Sequence, residues 1–182
     1  MSRRYYEPNA LIVDRAVEVW KRLLRNPKYD AVGDDVESQR ANPHMAFASL
    51  LAHNCRNNAE EPGVLDKFGE ALRKRLMEKD PEYHCFETHL SVDYDPCRTL
   101  HQAAEEAGLK MQWPWKTTMH LDTDNLCVGV GYGAPYEYHY PLPDGRWLIT
   151  GLNGKDIDKI IDYVQGGKPE FTVEEVPQEA SA

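Results

Sequence analysis

The hydrophobic period of this chain changes near residue 80, from helical spacing to a mainly strand-type alternation, and that change restricts the fold more than any motif does. Before it, apolar residues recur at helical spacing. Val13, Val17, Trp20 and Leu24 predict a helix over 9–25, with Lys21, Arg22 and Arg25 in its last turn and Asn26-Pro27 as its stop. Residues 28–42 hold Gly33, Asp34, Asp35 and Ser38 without a period and read as a loop. Asn42-Pro43 opens a second helix, apolar nearly all round through Phe47, Leu50, Leu51 and Cys55. Val64, Phe68, Leu72 and Leu76 mark a third over 62–79.

Beyond residue 80 the alternation is that of strands. From His84 to Tyr94, Phe86, Leu90 and Val92 face one way, and Cys85, Glu87, His89, Ser91 and Asp93 the other. Asp95-Pro96 is expected to cap a helix striped by Cys97, Leu100, Ala104 and Ala107 and closed by Gly108. Strands follow at 116–123, 125–132, 136–141 and 146–152, with Pro143-Asp144-Gly145 as one turn. A last helix is striped by Ile157, Ile160, Ile161 and Val164, and a short strand spans Phe171 to Val176.

The expected class is therefore α+β: a three-helix segment, then a mostly antiparallel sheet in the order β-α-β-β-β-β-α with helices on one face. One βαβ crossover is expected to add a parallel pair. A helical segment at 1–79, a sheet domain at 80–176 and a flexible acidic tail at 177–182 follow, the two halves being able to pack as one unit. A chain of 182 residues can bury a core without disulfides or a structural metal. Cys55, Cys85, Cys97 and Cys127 form no C-x-x-C pair. The longest near-apolar run, Met45 to Ala52, is eight residues, against about 20 for a membrane span. No apolar signal region follows Ser2-Arg3-Arg4, so a cytoplasmic protein off the membrane is expected.

Alternation also yields a candidate site. Glu87, His89, Ser91, Thr118, His120 and Asp122 share the polar face of two strands, and Glu137 and His139 are expected to join them beside Gly129 and Gly131. His89, Ser91, His120 and His139 are the candidates for acid–base catalysis, and His89, His120, Asp122 and His139 for metal ligation. The alternative is a solvated sheet face with incidental histidines. Thr88-His89-Leu90-Ser91-Val92 resembles the half-motif of two-histidine phosphoesterases, in which a His and a hydroxyl residue two positions on recur on two strands. The second copy, Met119-His120-Leu121-Asp122, has Asp where that family has the hydroxyl. Asp93-Tyr94-Asp95 faintly resembles the nucleophile loop of haloacid-dehalogenase-type phosphatases, with Pro96 and Cys97 where small or hydroxyl residues are expected. Cys97 at a helix start, with His101 one turn on, offers a nucleophile or, because it begins the apolar stripe, a buried structural thiol. No helix is expected after Gly129-Val130-Gly131-Tyr132-Gly133, so phosphate-loop geometry fails.

Charge and aromatic content point to another class of function. The net charge is −9, made of +4 over residues 1–28, −2 over 29–79 and −11 over 80–182. An acidic sheet half suits docking on a basic protein surface, including one that handles nucleic acid. Trp113, Trp115, Tyr136 and Tyr138 are the candidate anchors, or else core, and Asp122, Asp124, Glu137 and Asp144 the steering acids. A stoichiometric inhibitor or accessory protein, of the kind bacteriophages and mobile elements use against host defences, needs no catalytic motif and no cofactor. Direct contact with nucleic acid is expected only through the first helix (Arg15, Lys21, Arg22, Arg25), and self-association is compatible with the composition.

Overall fold

A computed structural model describes residues 7–25, 58–80, 82–93, 95–110, 113, 116–131 and 135–151. Three helices, α1 (Ala10–Arg25), α2 (Val64–Met77) and α3 (Arg98–Ala107), form where the 3.6-residue stripes predicted them. The predicted helix after Asn42-Pro43, the last helix and the strand near 171–176 lie outside the described residues. Asn9 caps α1: its side chain accepts from the Leu11 N–H and donates to the Thr123 carbonyl, tying the helix start to a sheet turn. Gly108 ends α3 in the left-handed conformation, where a side chain would be strained.

The strands are β1 (His89–Asp93), β2 (Asp95–Pro96), β3 (Thr117–Leu121), β4 (Leu126–Val130), β5 (Glu137–Pro141) and β6 (Trp147–Thr150). They make one sheet in the order β2-β1-β3-β4-β5-β6, five full strands and a two-residue edge, and every pairing is antiparallel. The α+β class holds, but the expected parallel pair does not form. The chain reverses immediately after Asp93 into β2, so α3 starts from a reversed direction and returns the chain beside Val92, where Thr117 begins β3. Asp95-Pro96 is accordingly an edge strand rather than a helix cap, and Cys97 takes the cap position. The first strand also starts later than predicted. Asp80 accepts hydrogen bonds from the Glu82 and Tyr83 N–H groups, closing a turn that carries His84 at φ 55°.

One hydrophobic cluster joins the helices to one face of the sheet. Ile12, Val13, Ala16, Val17 and Trp20 of α1 and Phe68 and Leu72 of α2 meet Leu90, Val92, Met119, Leu121, Leu126 and Val128. The described helices therefore occupy one side of the sheet, and the other face is free of them. Gly69 lets α2 approach α1 closely, since a Cβ there would lie 3.1 Å from Val17. Among the described residues no helix is long and apolar enough to cross a membrane.

Candidate functional site

Register fixes which side chains share the face opposite the described helices. His89 lies opposite His120, His120 opposite Cys127, and Cys127 opposite Tyr138, giving one row across four strands. The Leu121 N–H donates to the Thr88 carbonyl at 2.9 Å, so Thr88 and Leu121 form a hydrogen-bonded pair. The next pair, His89 and His120, is then non-hydrogen-bonded, the kind in which side chains approach most closely. Their imidazoles stack at 4.6 Å, 18° from parallel. Burial, and secondarily the neighbouring His89, push the His120 pKa down, favouring a neutral ring in neutral solution.

The row alongside contains Ser91 opposite Thr118 and Thr118 opposite Gly129. The hydroxyl missing after His120 in the sequence motif thus stands two residues before it, at Thr118, because antiparallel pairing reverses the spacing. Tyr136 lies over Gly129, where a Cβ would come within 2.9 Å of its ring, and its ring is 6.3 Å from that of His120. Tyr136 remains 41% exposed. Tyr138 and Tyr140 stack at 6.4 Å further along β5, and the face closes at β6, where Leu148 is fully buried. The open part of the face therefore lies over β1, β3 and β4.

His139 is not part of this surface. It pairs with Leu126, which pairs with Leu121, so it points into the helix-side layer and is fully buried. There the Arg15 Nε donates to its Nδ1 at 3.0 Å, and the Arg15 guanidinium lies 5.2 Å from the centre of the Trp147 ring. Burial first, then the charges of Arg15 and Arg22, push its pKa down to about 3. Its ring is therefore neutral, and Glu137 at 3.8 Å makes no ion pair with it. The expected set of His89, His120, Asp122 and His139 is split between two faces. Among the described residues no three His, Cys, Asp or Glu side chains converge to hold a metal ion.

The remaining candidates are also separated by the fold. Trp113 is packed against the core, edge-on to Trp20 at 6.3 Å and 6.4 Å from Phe68, and Trp115 lies outside the described residues. Asp122 and Asp124 are exposed in the β3–β4 turn, and Asp144 is exposed in the β5–β6 turn at the same end of the sheet. Asp144 is held by Arg146 at 2.7–2.8 Å. Of the four cations assigned to the first helix, Arg15 is in the core, Lys21 pairs with Glu18 and Asp66, and Arg22 and Arg25 are exposed. Burial pushes the Cys97 thiol pKa up, the opposite of an activated nucleophile.

A groove of about 530 Å³ lies between the α2 end, the residues around 78–87 and α3. Its cations are engaged: Arg75 pairs with Glu106, Arg98 with Glu82 and Asp80, and Lys79 lies over Phe86. Comparison with protein-family models, curated proteins and solved structures found no match.

Proposed function

We propose that this protein acts by stoichiometric contact, docking the sheet face opposite its described helices on a basic surface of a protein partner. The observation that carries this reading is the run of exposed or half-exposed rings His89, His120 and Tyr136 on one open face, with Asp122 and Asp124 in the turn beside it. Aromatic anchors with polar handles bury area at low entropic cost, and acids at the margin steer a basic partner. An inhibitor or accessory protein of a nucleic-acid-handling complex fits this chemistry. Asp122→Lys with Asp124→Lys should weaken binding and flatten its salt dependence, chiefly through the association rate. Reversal of Asp144 should do less, because Arg146 already offsets it. Unchanged affinity and salt slope in the double variant would refute the reading.

A second reading, His-based phosphoester hydrolysis, is favoured by a different observation: two imidazoles stand abreast, with Ser91 and Thr118 abreast in the adjacent row. Two adjacent histidines can divide the acid and base roles of such a reaction. Phosphodiesterase activity that disappears in both His89→Ala and His120→Ala would establish it, and no turnover by the wild type would remove it.

A further inference from the structure

We infer that His89 and His120 form a two-point binding site for a divalent transition-metal ion of the copper, nickel or zinc type. The inference rests on strand geometry and does not depend on the docking reading. A non-hydrogen-bonded antiparallel pair brings two Cβ atoms as close as a sheet allows, and here both positions of such a pair carry imidazoles. The rings stand side by side, nearly parallel, with their centroids 4.6 Å apart. Metal–imidazole bonds of about 2.0–2.1 Å need the two nitrogens roughly 3 Å apart. In the stack the in-plane lone pairs run parallel, so ion binding turns both rings about their side-chain torsions until the nitrogens converge, a rearrangement open to two exposed histidines.

The backbone fixes the pair: His120 lies in β3 between β1 and β4, and His89 opens β1 paired directly with it, so neither histidine sits on a loop that must be ordered when the ion binds. The chelate is consequently preorganised at the level of the main chain. Imidazole nitrogen selects borderline ions over magnesium and calcium, and affinity should follow copper above nickel and zinc. Cys127, next in the row, hydrogen-bonds with Tyr138, so the pair supplies two ligands and solvent or a partner group completes the coordination. Ser91 and Thr118 stand opposite each other one row away.

The test uses the full chain, purified without a polyhistidine tag and stripped with chelator, titrated with copper(II) and followed by electron paramagnetic resonance and calorimetry. Wild type should bind one equivalent with hyperfine structure from two imidazole nitrogens, zinc(II) and nickel(II) should compete, and magnesium(II) should not. Either His89→Ala or His120→Asn should abolish the two-nitrogen signature while circular dichroism stays unchanged, and His139→Gln should retain it. The chain has seven histidines, so the comparison among variants decides the assignment. An unchanged signal in both His89→Ala and His120→Asn, or a wild type that shows no two-nitrogen species, would overturn the inference. Loss of ion binding with docking intact would leave the docking reading standing, and the converse holds.

Discussion

Lowering the pH from above 6.5 is expected to destabilise the wild-type protein through His139, and His139→Gln should remove that component. The sign follows from where the proton binds. Above the ordinary histidine value of 6.5 the residue is neutral in both folded and unfolded chains, so it adds no pH dependence. Below it, the unfolded chain takes up a proton that the folded protein refuses until about pH 3. Stability is therefore lost as pH falls through that window, by about 1 kcal/mol per pH unit once well below 6.5. The refusal is structural: His139 is fully buried, and its Nδ1 lone pair accepts from Arg15, which an imidazolium could not do. Glutamine keeps an acceptor for Arg15 and does not titrate. Urea unfolding of both proteins at about pH 7.5 and about pH 5 should give a difference in stability loss on the order of 1–2 kcal/mol. Equal losses would show that His139 is not held neutral in the core.

The residues that were legible from sequence and those that were not differ in contrast. On β1 and β3, Leu90, Val92, Met119 and Leu121 alternate with His89, Ser91, Thr118 and His120, so the faces were readable and the structure keeps them. On β5, tyrosines alternate with Glu137 and His139, and an amphipathic ring can face either way. The tyrosines face away from the helices, and the histidine faces the core. A signal for this lay in α1, where Arg15 occupies the apolar stripe between Val13 and Ala16. A cation there needs a buried acceptor, and His139 supplies one. The antiparallel return of β3 was not readable because the reversal depends on a two-residue strand, too short to show a period. Trp113 stands in a link with no period at all, so nothing in the sequence separated its core role from an interface role.

Tyr136 is the residue on which the docking account depends most. Among the described residues it is the most exposed large aromatic of the open face, at 41%, yet its ring is seated over Gly129 and beside His120, so little side-chain freedom remains to be lost on binding. A large ring fixed before contact, with a polar hydroxyl at its tip, has the character of an interface hot spot. Its removal is expected to cost about 2 kcal/mol or more, roughly a thirtyfold rise in Kd. Because the side chain contributes no part of the buried cluster, Tyr136→Ala should leave the fold intact.

The deciding measurement is calorimetric titration of the stoichiometric partner, isolated from the native host on immobilised wild-type protein, with wild type, Tyr136→Ala and the double reversal of Asp122 and Asp124 to lysine. A 1:1 complex with a basic protein, weakened at least about thirtyfold by Tyr136→Ala and stripped of most of its salt dependence by the acid reversal, is the predicted result. Full affinity in both variants, or failure of any partner to bind in a defined ratio, would contradict the assignment of this face as the docking surface.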